Sequence, residues 1–282
     1  MKIIDGKKIR DEILAKVKKE IANLSFKPVF CDVLVGEDPV SAQYVRMKAR
    51  MSESVGIKFQ SASFPSDITT EDLVKEIKIL NKVENMCGII IQLPLPASLD
   101  QRRILDSIDS KLDVDCLGSV ASEKFYNGDF TIIFPTALAC MQMLDSLNLD
   151  LKDKKIIIIG KGELVGRPVK KLLNARNLET FVIDRKTEEN ERIKRFKEAD
   201  VIISATGKGK LINGNMIKKG AILIDAGTSE SGAGIVGDID LDSVSEVAGY
   251  VSPVPGGVGP VTVAMLLNNV LIVAKSLVKS NE

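Results

Sequence analysis

The sequence predicts an α/β protein of two domains, and two observations carry that reading. Through the first half, short apolar runs bounded by Pro and Gly alternate with amphipathic helical stretches, the pattern of parallel strands covered on both faces. At Lys154 the character changes. KKIIIIGKGELVGRPVKKLLNARNLETFVIDR reads as strand, glycine turn, helix and strand within the length of one βαβ unit. A chain of 282 residues is long enough for two cores. The small polar segment LNLDLKDKK marks the boundary, so 1–148 and 149–261 are read as the two domains.

Taken in order, DGKKIRDEILAKVKKEIANL is a helix that alternates charge with apolar residues and lacks the unbroken apolar core of a signal peptide. KPVFCDVLVG is a buried strand, and a Gly-Glu-Asp-Pro turn leads from it into a helix ending near Gly56. On that helix Ser41, Tyr44 and Lys48 fall at i, i+3 and i+7 and so share one face. Standing alone, such a pattern is an ordinary solvated helix side, since lysine is mostly exposed. IKFQSASF is a second strand, and ITTEDLVKEIKILNK a helix capped by Thr69 or Thr70.

The run 88–91 is a short all-apolar strand with Gln92 as the first polar side chain at its carboxyl end, where open α/β sheets bind ligands. Pro94 and Pro96, flanking Leu95, stop the strand and stiffen the loop. A helix over 101–109 leads to KLDVDCLG, in which Asp113 and Asp115 flank a valine before a turn. Capping and turning the chain is the common use of such acids. A helix rich in Met and Leu is expected over 136–147.

In the second half Gly160, Gly162 and Gly166, with Lys161 and Val165 between them, bend the backbone at a helix N-terminus and let it approach a pyrophosphate. A glycine triplet alone is a weak signal, but here it follows a four-isoleucine strand and opens a helix, as a Rossmann-like dinucleotide site does. The next strand ends at Asp184 and Arg185, where an acid suits the ribose hydroxyls of NAD and an arginine the extra phosphate of NADP. The two neighbours argue in opposite directions, and Lys161 tilts the balance slightly toward a phosphate. ADVIISATG and GAILIDAGT supply two further strands with small-residue turns, placing Ala205, Gly207 and Thr228 at carboxyl ends. The loop 253–260, with three prolines and three glycines, precedes a helix that begins at Thr262 and must be buried because it is apolar nearly all round.

Composition narrows the function classes. The 39 basic and 38 acidic residues nearly cancel, and no dense basic run tracks a phosphate backbone, so nucleic acid is not an expected partner. No stretch of 18 or more apolar residues occurs, and Asn268 and Asn269 interrupt the last helix, so no membrane span is expected. Four separated cysteines without a Cys-x-x-Cys pair point to a reducing cytoplasm and no bound metal. Histidine is absent altogether. Proton chemistry in this chain rests on Lys, Asp, Glu, Tyr, Cys or a substrate.

YVRMK, GIIIQLPLP, KLDVD, the GxGxxxG turn and PVPGGVGPVT follow one another along almost the whole chain. In that order they closely resemble the bifunctional methylenetetrahydrofolate dehydrogenase/methenyltetrahydrofolate cyclohydrolase family. A short-chain dehydrogenase also pairs tyrosine with lysine, but there the glycine turn comes first. The resemblance implies a two-domain α/β fold whose last helix, 262–282, returns to the first domain, a homodimer, and a tetrahydrofolate cleft between the domains. It implies oxidation of 5,10-methylenetetrahydrofolate with NADP, or NAD, and hydrolysis of the methenyl product to 10-formyltetrahydrofolate.

Carried over by position, the family's catalytic lysine falls on Lys48, its tyrosine on Tyr44, its glutamine on Gln92 and its folate-binding aspartate on Asp115. Ser41, Pro94, Leu95, Pro255, Gly256, Gly257 and Val258 fall on substrate-binding positions. A lysine serves as base only when its proton affinity is pulled toward neutrality, which burial and a nearby cation both do. Tyr44 is expected to orient the amine. The family's Gly-Arg-Ser turn is Gly160-Lys161-Gly162 here, its following serine aligns with Arg185, its Pro-Cys-Thr-Pro element is Phe134-Pro135-Thr136-Ala137, and Thr228 replaces a common isoleucine. The folate half thus matches the pattern while the cofactor half is altered, which leaves open a cyclohydrolase with weak or lost dehydrogenase activity. An amino-acid or shikimate-type dehydrogenase is the rival enzyme reading, and a degenerate sensor of folate or NAD(P) the non-enzymatic one.

Overall fold

The computed structural model describes residues 1–231 and 234–280. The first half contains β1 (Lys2–Ile3), α1 (Gly6–Ile21), β2 (Val29–Val35), α2 (Pro39–Ser54), β3 (Lys58–Phe64), α3 (Thr70–Leu80), β4 (Met86–Ile91), α4 (Gln101–Leu105), α5 (Ser119–Tyr126) and α6 (Pro135–Asp145). There follow β5 (Ile156–Ile159), α7 (Gly166–Ala175), β6 (Thr180–Ile183), α8 (Glu189–Glu198), β7 (Val201–Ser204) and β8 (Ile222–Asp225). The chain closes with β9 (Ser229–Ser231), β10 (Gly234–Val236), α9 (Leu241–Val244), β11 (Tyr250–Val251) and α10 (Val258–Ser280). Two compact units emerge, one made of Glu12–Pro135 and the chain from Val263 on, the other of Met1–Asp11 and Thr136–Thr262.

The first unit is built on a parallel three-stranded sheet in the order β3-β2-β4. Every residue of β2 and β4 is buried, which explains their continuous rather than alternating apolar character. After β2 the chain turns at Gly36, and Asp38 caps α2 by accepting a hydrogen bond from the Ser41 backbone N–H at 2.7 Å. Thr69 caps α3 in the same way, accepting from the Asp72 N–H.

The last helix completes this unit, as the resemblance implies. Val263, Leu267, Val270, Leu271 and Ala274 are buried, and Asn269 Nδ2 donates to the carbonyls of Val114 (2.9 Å) and Ile133 (2.7 Å). A side chain on Gly88 of β4 would come within 2.9 Å of both Val114 and Val270, so the close approach of α10 requires glycine there. By length and composition α10 is apolar enough to cross a membrane, yet most of that stretch is buried against protein. Residues 281 and 282 of the expected helix lie outside the described residues.

The second unit carries an all-parallel six-stranded sheet in the order β1-β11-β8-β7-β5-β6. Ile157, Ile202, Leu223, Phe196 and Val244 lie in its core. β6 pairs with one side of β5 and β7 with the other, so the strand order reverses there and opens a crevice at the carboxyl ends.

Three expectations need revision. Residues 1–11 group with the six-stranded unit because β1 adds to the sheet edge through β11, and residues 136–148 group with it as well. The helix expected over 101–109 ends at Leu105, where Ser107 N–H and Oγ both turn back to the Ile104 carbonyl. The last helix begins at Val258 rather than Thr262, since the first turn of a helix tolerates Pro260 without losing a hydrogen bond.

Candidate active site

Lys48 sits on the inward face of α2 together with Ser41, Val45 and Ser52, and only 6% of it is exposed. Its Nζ donates to Gln92 Oε1 at 2.7 Å and lies 2.6 Å from Asp32 Oδ2. Gln92 is the first residue beyond β4, and its backbone N–H is fixed on the Val33 carbonyl of β2 at 2.8 Å. Its Nε2 donates to the Leu93 carbonyl, which sets which end of the amide faces the lysine. Two strands and a helix therefore aim three side chains at one point.

Asp32 is fully buried in the middle strand, with Ser61 and Ile90 as its ladder partners. Burial pushes its carboxyl up, and the Lys48 amine opposes that shift. Sequence reading missed this residue. The available signal was a lone acid inside the apolar run VFCDVLV, which needs a partner from elsewhere in the fold. Tyr44 stands one turn before Lys48 and is partly buried. Among the described residues no hydrogen bond joins the two, and the polar contacts of the amine come from Gln92 and Asp32.

The acid pair of KLDVD divides its work. Asp113 is buried and accepts from the backbone N–H groups of Gly118 (2.7 Å) and Leu117 (3.4 Å), so it locks the turn. Asp115 is only partly buried, and its carboxyl is pushed up to about 7. Removal from water is the main cause, Asp113 and Asp32 add to it, and Lys48 opposes it. Lys48, Gln92, Asp115 and the unforeseen Asp32 thus form one electrostatic group. Ser41, Pro94 and Leu95 belong to the same unit, with Ser41 in the first turn of α2 and the other two in the loop after β4.

In the six-stranded unit the glycine turn lies at the strand-order reversal. A side chain on Gly160 would meet the Ala205 carbonyl at 2.7 Å, and one on Gly166 would meet the Gly160 carbonyl at 2.0 Å. Gly162 faces open space, and α7 begins without a side-chain cap, although the Arg167 N–H is already taken by the Gly162 carbonyl at 3.1 Å and Pro168 has none to offer. Lys161 pairs with Asp184 across the turn. That contact, and then the Lys186 N–H, hold the Asp184 carboxyl below its ordinary value. Arg185 and Thr228 are exposed, and Ala205 and Gly207 follow β7.

Beneath these loops lies a network the sequence did not reveal. Buried Asp238 accepts from Ser204 Oγ (2.6 Å), Thr206 N–H (2.7 Å) and Lys208 N–H (2.8 Å). Asp225 in turn accepts from the N–H groups of Gly227 (3.0 Å), Asp238 (3.1 Å) and Ile239 (2.9 Å). The two carboxyls tie the loops after β7 and β8 to each other. Pro255, Gly256, Gly257 and Val258 also belong to this unit, where a side chain on Gly257 would meet the Pro253 carbonyl at 2.5 Å.

Comparison with known proteins gives two family matches: the tetrahydrofolate dehydrogenase/cyclohydrolase catalytic domain over residues 4–115, and the NAD(P)-binding domain of the same name over residues 135–278. The bifunctional protein FolD of Moorella thermoacetica is 39% identical over 277 residues, covering 97% of this chain and 98% of that one. The crystal structure of bifunctional FolD from Campylobacter jejuni superposes with a TM-score of 0.93 at 35% identity, over 98% of this chain and 99% of that one. A Trypanosoma brucei methylenetetrahydrofolate dehydrogenase-cyclohydrolase, solved with NADP and an inhibitor, gives a TM-score of 0.92 at 32% identity and covers 98% of each chain.

Proposed function

We propose, since the chain belongs to the tetrahydrofolate dehydrogenase/cyclohydrolase family, that it oxidises 5,10-methylenetetrahydrofolate with NAD(P) and hydrolyses the methenyl product to 10-formyltetrahydrofolate. This membership does not favour the shikimate-type alternative. The observation that carries the hydrolytic half is the buried Lys48 amine, held at 2.7 Å by Gln92 and at 2.6 Å by Asp32.

In the hydrolysis Lys48 takes the proton of the water that attacks the cationic methenyl carbon, while Gln92 holds the amine in line. The folate nitrogens already carry the positive charge, so the protein need not create an electrophile. Asp115, with a carboxyl that is half protonated near neutrality, faces the pterin as donor or acceptor. Ser41, Pro94, Leu95 and the backbone of Pro255, Gly256, Gly257 and Val258 complete the folate contacts by position.

The residues of the second unit fit a dinucleotide. Glycines at close backbone approaches, an uncapped helix N-terminus of α7 and an acid after β6 are the parts such a ligand uses. Gly160, Gly162, Val165 and Gly166 would hold the pyrophosphate, Lys161, Asp184 and Arg185 the adenosine ribose or its phosphate, and Ala205, Gly207 and Thr228 the nicotinamide side. When bound, the coenzyme supplies the hydride acceptor. The protein's share of that step is to position donor against acceptor and exclude water. A cytoplasmic homodimer completes the reading carried by the family resemblance.

The test follows the ultraviolet band of methenyltetrahydrofolate. Wild-type protein should bleach it well above the buffer rate. Lys48→Met should lose at least about a hundredfold of that rate, the scale of a general base, while still binding folate. Wild-type hydrolysis by the variant would remove Lys48 from the mechanism.

A further inference from the structure

Asp32 contributes nothing evident to the folding of β2. All seven residues of the strand are buried, and Asp32 itself has no exposed surface. A carboxylate in such a place is costly to remove from water, and an apolar residue of similar size would serve the strand as well or better. Its Oδ1 has no hydrogen-bond partner among the described residues, and its Oδ2 meets only the Lys48 amine, at 2.6 Å. Gln92 Oε1 accepts a hydrogen bond from Lys48 at 2.7 Å, and Asp32 Oδ2 faces the same amine as an ion pair.

We propose that Asp32 is the proton partner of Lys48, forming a buried amine–carboxyl dyad in which the carboxylate takes the ammonium proton as the cationic substrate arrives and frees the amine to act as base. The inference rests on the reading of Lys48 as the base of the hydrolysis. At rest the pair holds one shared proton, as ammonium and carboxylate. A methenyl cation beside the ammonium disfavours that arrangement. An N–H bond of Lys48 breaks and an O–H bond forms on Asp32.

Water then bonds to the methenyl carbon, the C–N π pair returns to nitrogen, and the proton that water loses goes to the Lys48 lone pair. The second proton of the former water moves to a folate nitrogen as its bond to the carbon breaks, leaving the formyl group on the other nitrogen. The pair now holds two protons, and loss of one to solvent restores the start. Nothing is oxidised or reduced, and one proton is released per turnover, as the hydrolysis of a cation to a neutral amide requires. The other ionisable groups interacting with the pair are Asp115 and the Cys31 thiol. Burial pushes the Asp32 carboxyl up, opposed only by Lys48.

Asp32→Asn keeps the size of the side chain and removes the proton acceptor. It should lower kcat for methenyltetrahydrofolate hydrolysis about ten- to a hundredfold, change KM less than about threefold, and shift the acid limb of the kcat–pH profile by about one unit or more. The ratio of hydrolysis to dehydrogenation should fall at least about tenfold, because the oxidation needs no base. Because the two residues act as a unit, the Lys48→Met/Asp32→Asn double variant should hydrolyse no more slowly than Lys48→Met alone. Unchanged kcat in Asp32→Asn, with Lys48→Met inactive, overturns the dyad and leaves the reading of Lys48 standing. An active Lys48→Met overturns both. Asp32→Val, apolar like the rest of its strand, gives the same comparison if the amide folds poorly, and a proportional loss of both activities in both variants would overturn the dyad in favour of a packing role.

Discussion

Asp113 and Asp115 stand two residues apart and do different work. The first accepts backbone N–H groups and is part of the turn, whereas the second is the one whose carboxyl interacts with Lys48 and Asp32. Asp115 is raised to about 7 in the fold, while an unfolded aspartate titrates near ~3.9. Between those values the folded chain holds a proton that the unfolded chain has lost, so stability contributed at this site falls as pH rises through the window and levels off above it. Asp115→Asn removes the titration. The melting temperature of the variant relative to wild type should therefore rise as pH goes from 5 to 8, and a difference flat in pH would mean that this carboxyl titrates normally. Lys48 and Gln92 were legible in the sequence because short motifs surround them. Asp32 was not, because its meaning lies in a pairing between β2 and α2 that no spacing along the chain encodes.

At the scale of elements, the β5–α7 turn and the end of β6 act together through the Lys161–Asp184 pair. With that pair in place the acid is ionised and available to ribose hydroxyls, and the lysine is spoken for. Asp184→Ser removes the acceptor and releases the lysine toward a phosphate. The ratio of kcat/KM with NADP to that with NAD should rise about tenfold, the scale of one charged hydrogen bond. An unchanged ratio would show that Asp184 does not read the ribose. The strand-turn-helix unit itself was plain from four isoleucines and the glycines. Other elements left no such mark: β1 and β11 are two residues each, too short for any period, and α8 is so polar that Phe196 is its one fully buried side chain. The Asp225–Asp238 network was equally hidden, since acids 13 residues apart are joined only by the folding of two loops.

For the molecule as a whole, each compact unit is assembled from two separated stretches of chain. The expected boundary near 148 followed composition, but membership in a unit is decided by which sheet a segment completes. Removing residues 263–282 should strip the three-stranded unit of the buried face formed by Val263, Leu267, Val270, Leu271 and Ala274, and of the Asn269 bonds to Val114 and Ile133. Burial of several aliphatic side chains at roughly 1.5–3 kcal/mol each exceeds the usual net stability of a domain. The truncated protein should lose hydrolysis and show no cooperative melting of that unit, and a folded, active truncation would contradict this. The same interleaving matters at birth. Growing from its amino end, the nascent polypeptide cannot finish the lysine-bearing unit until α10 leaves the ribosome, so that unit matures only after the whole six-stranded unit has been made.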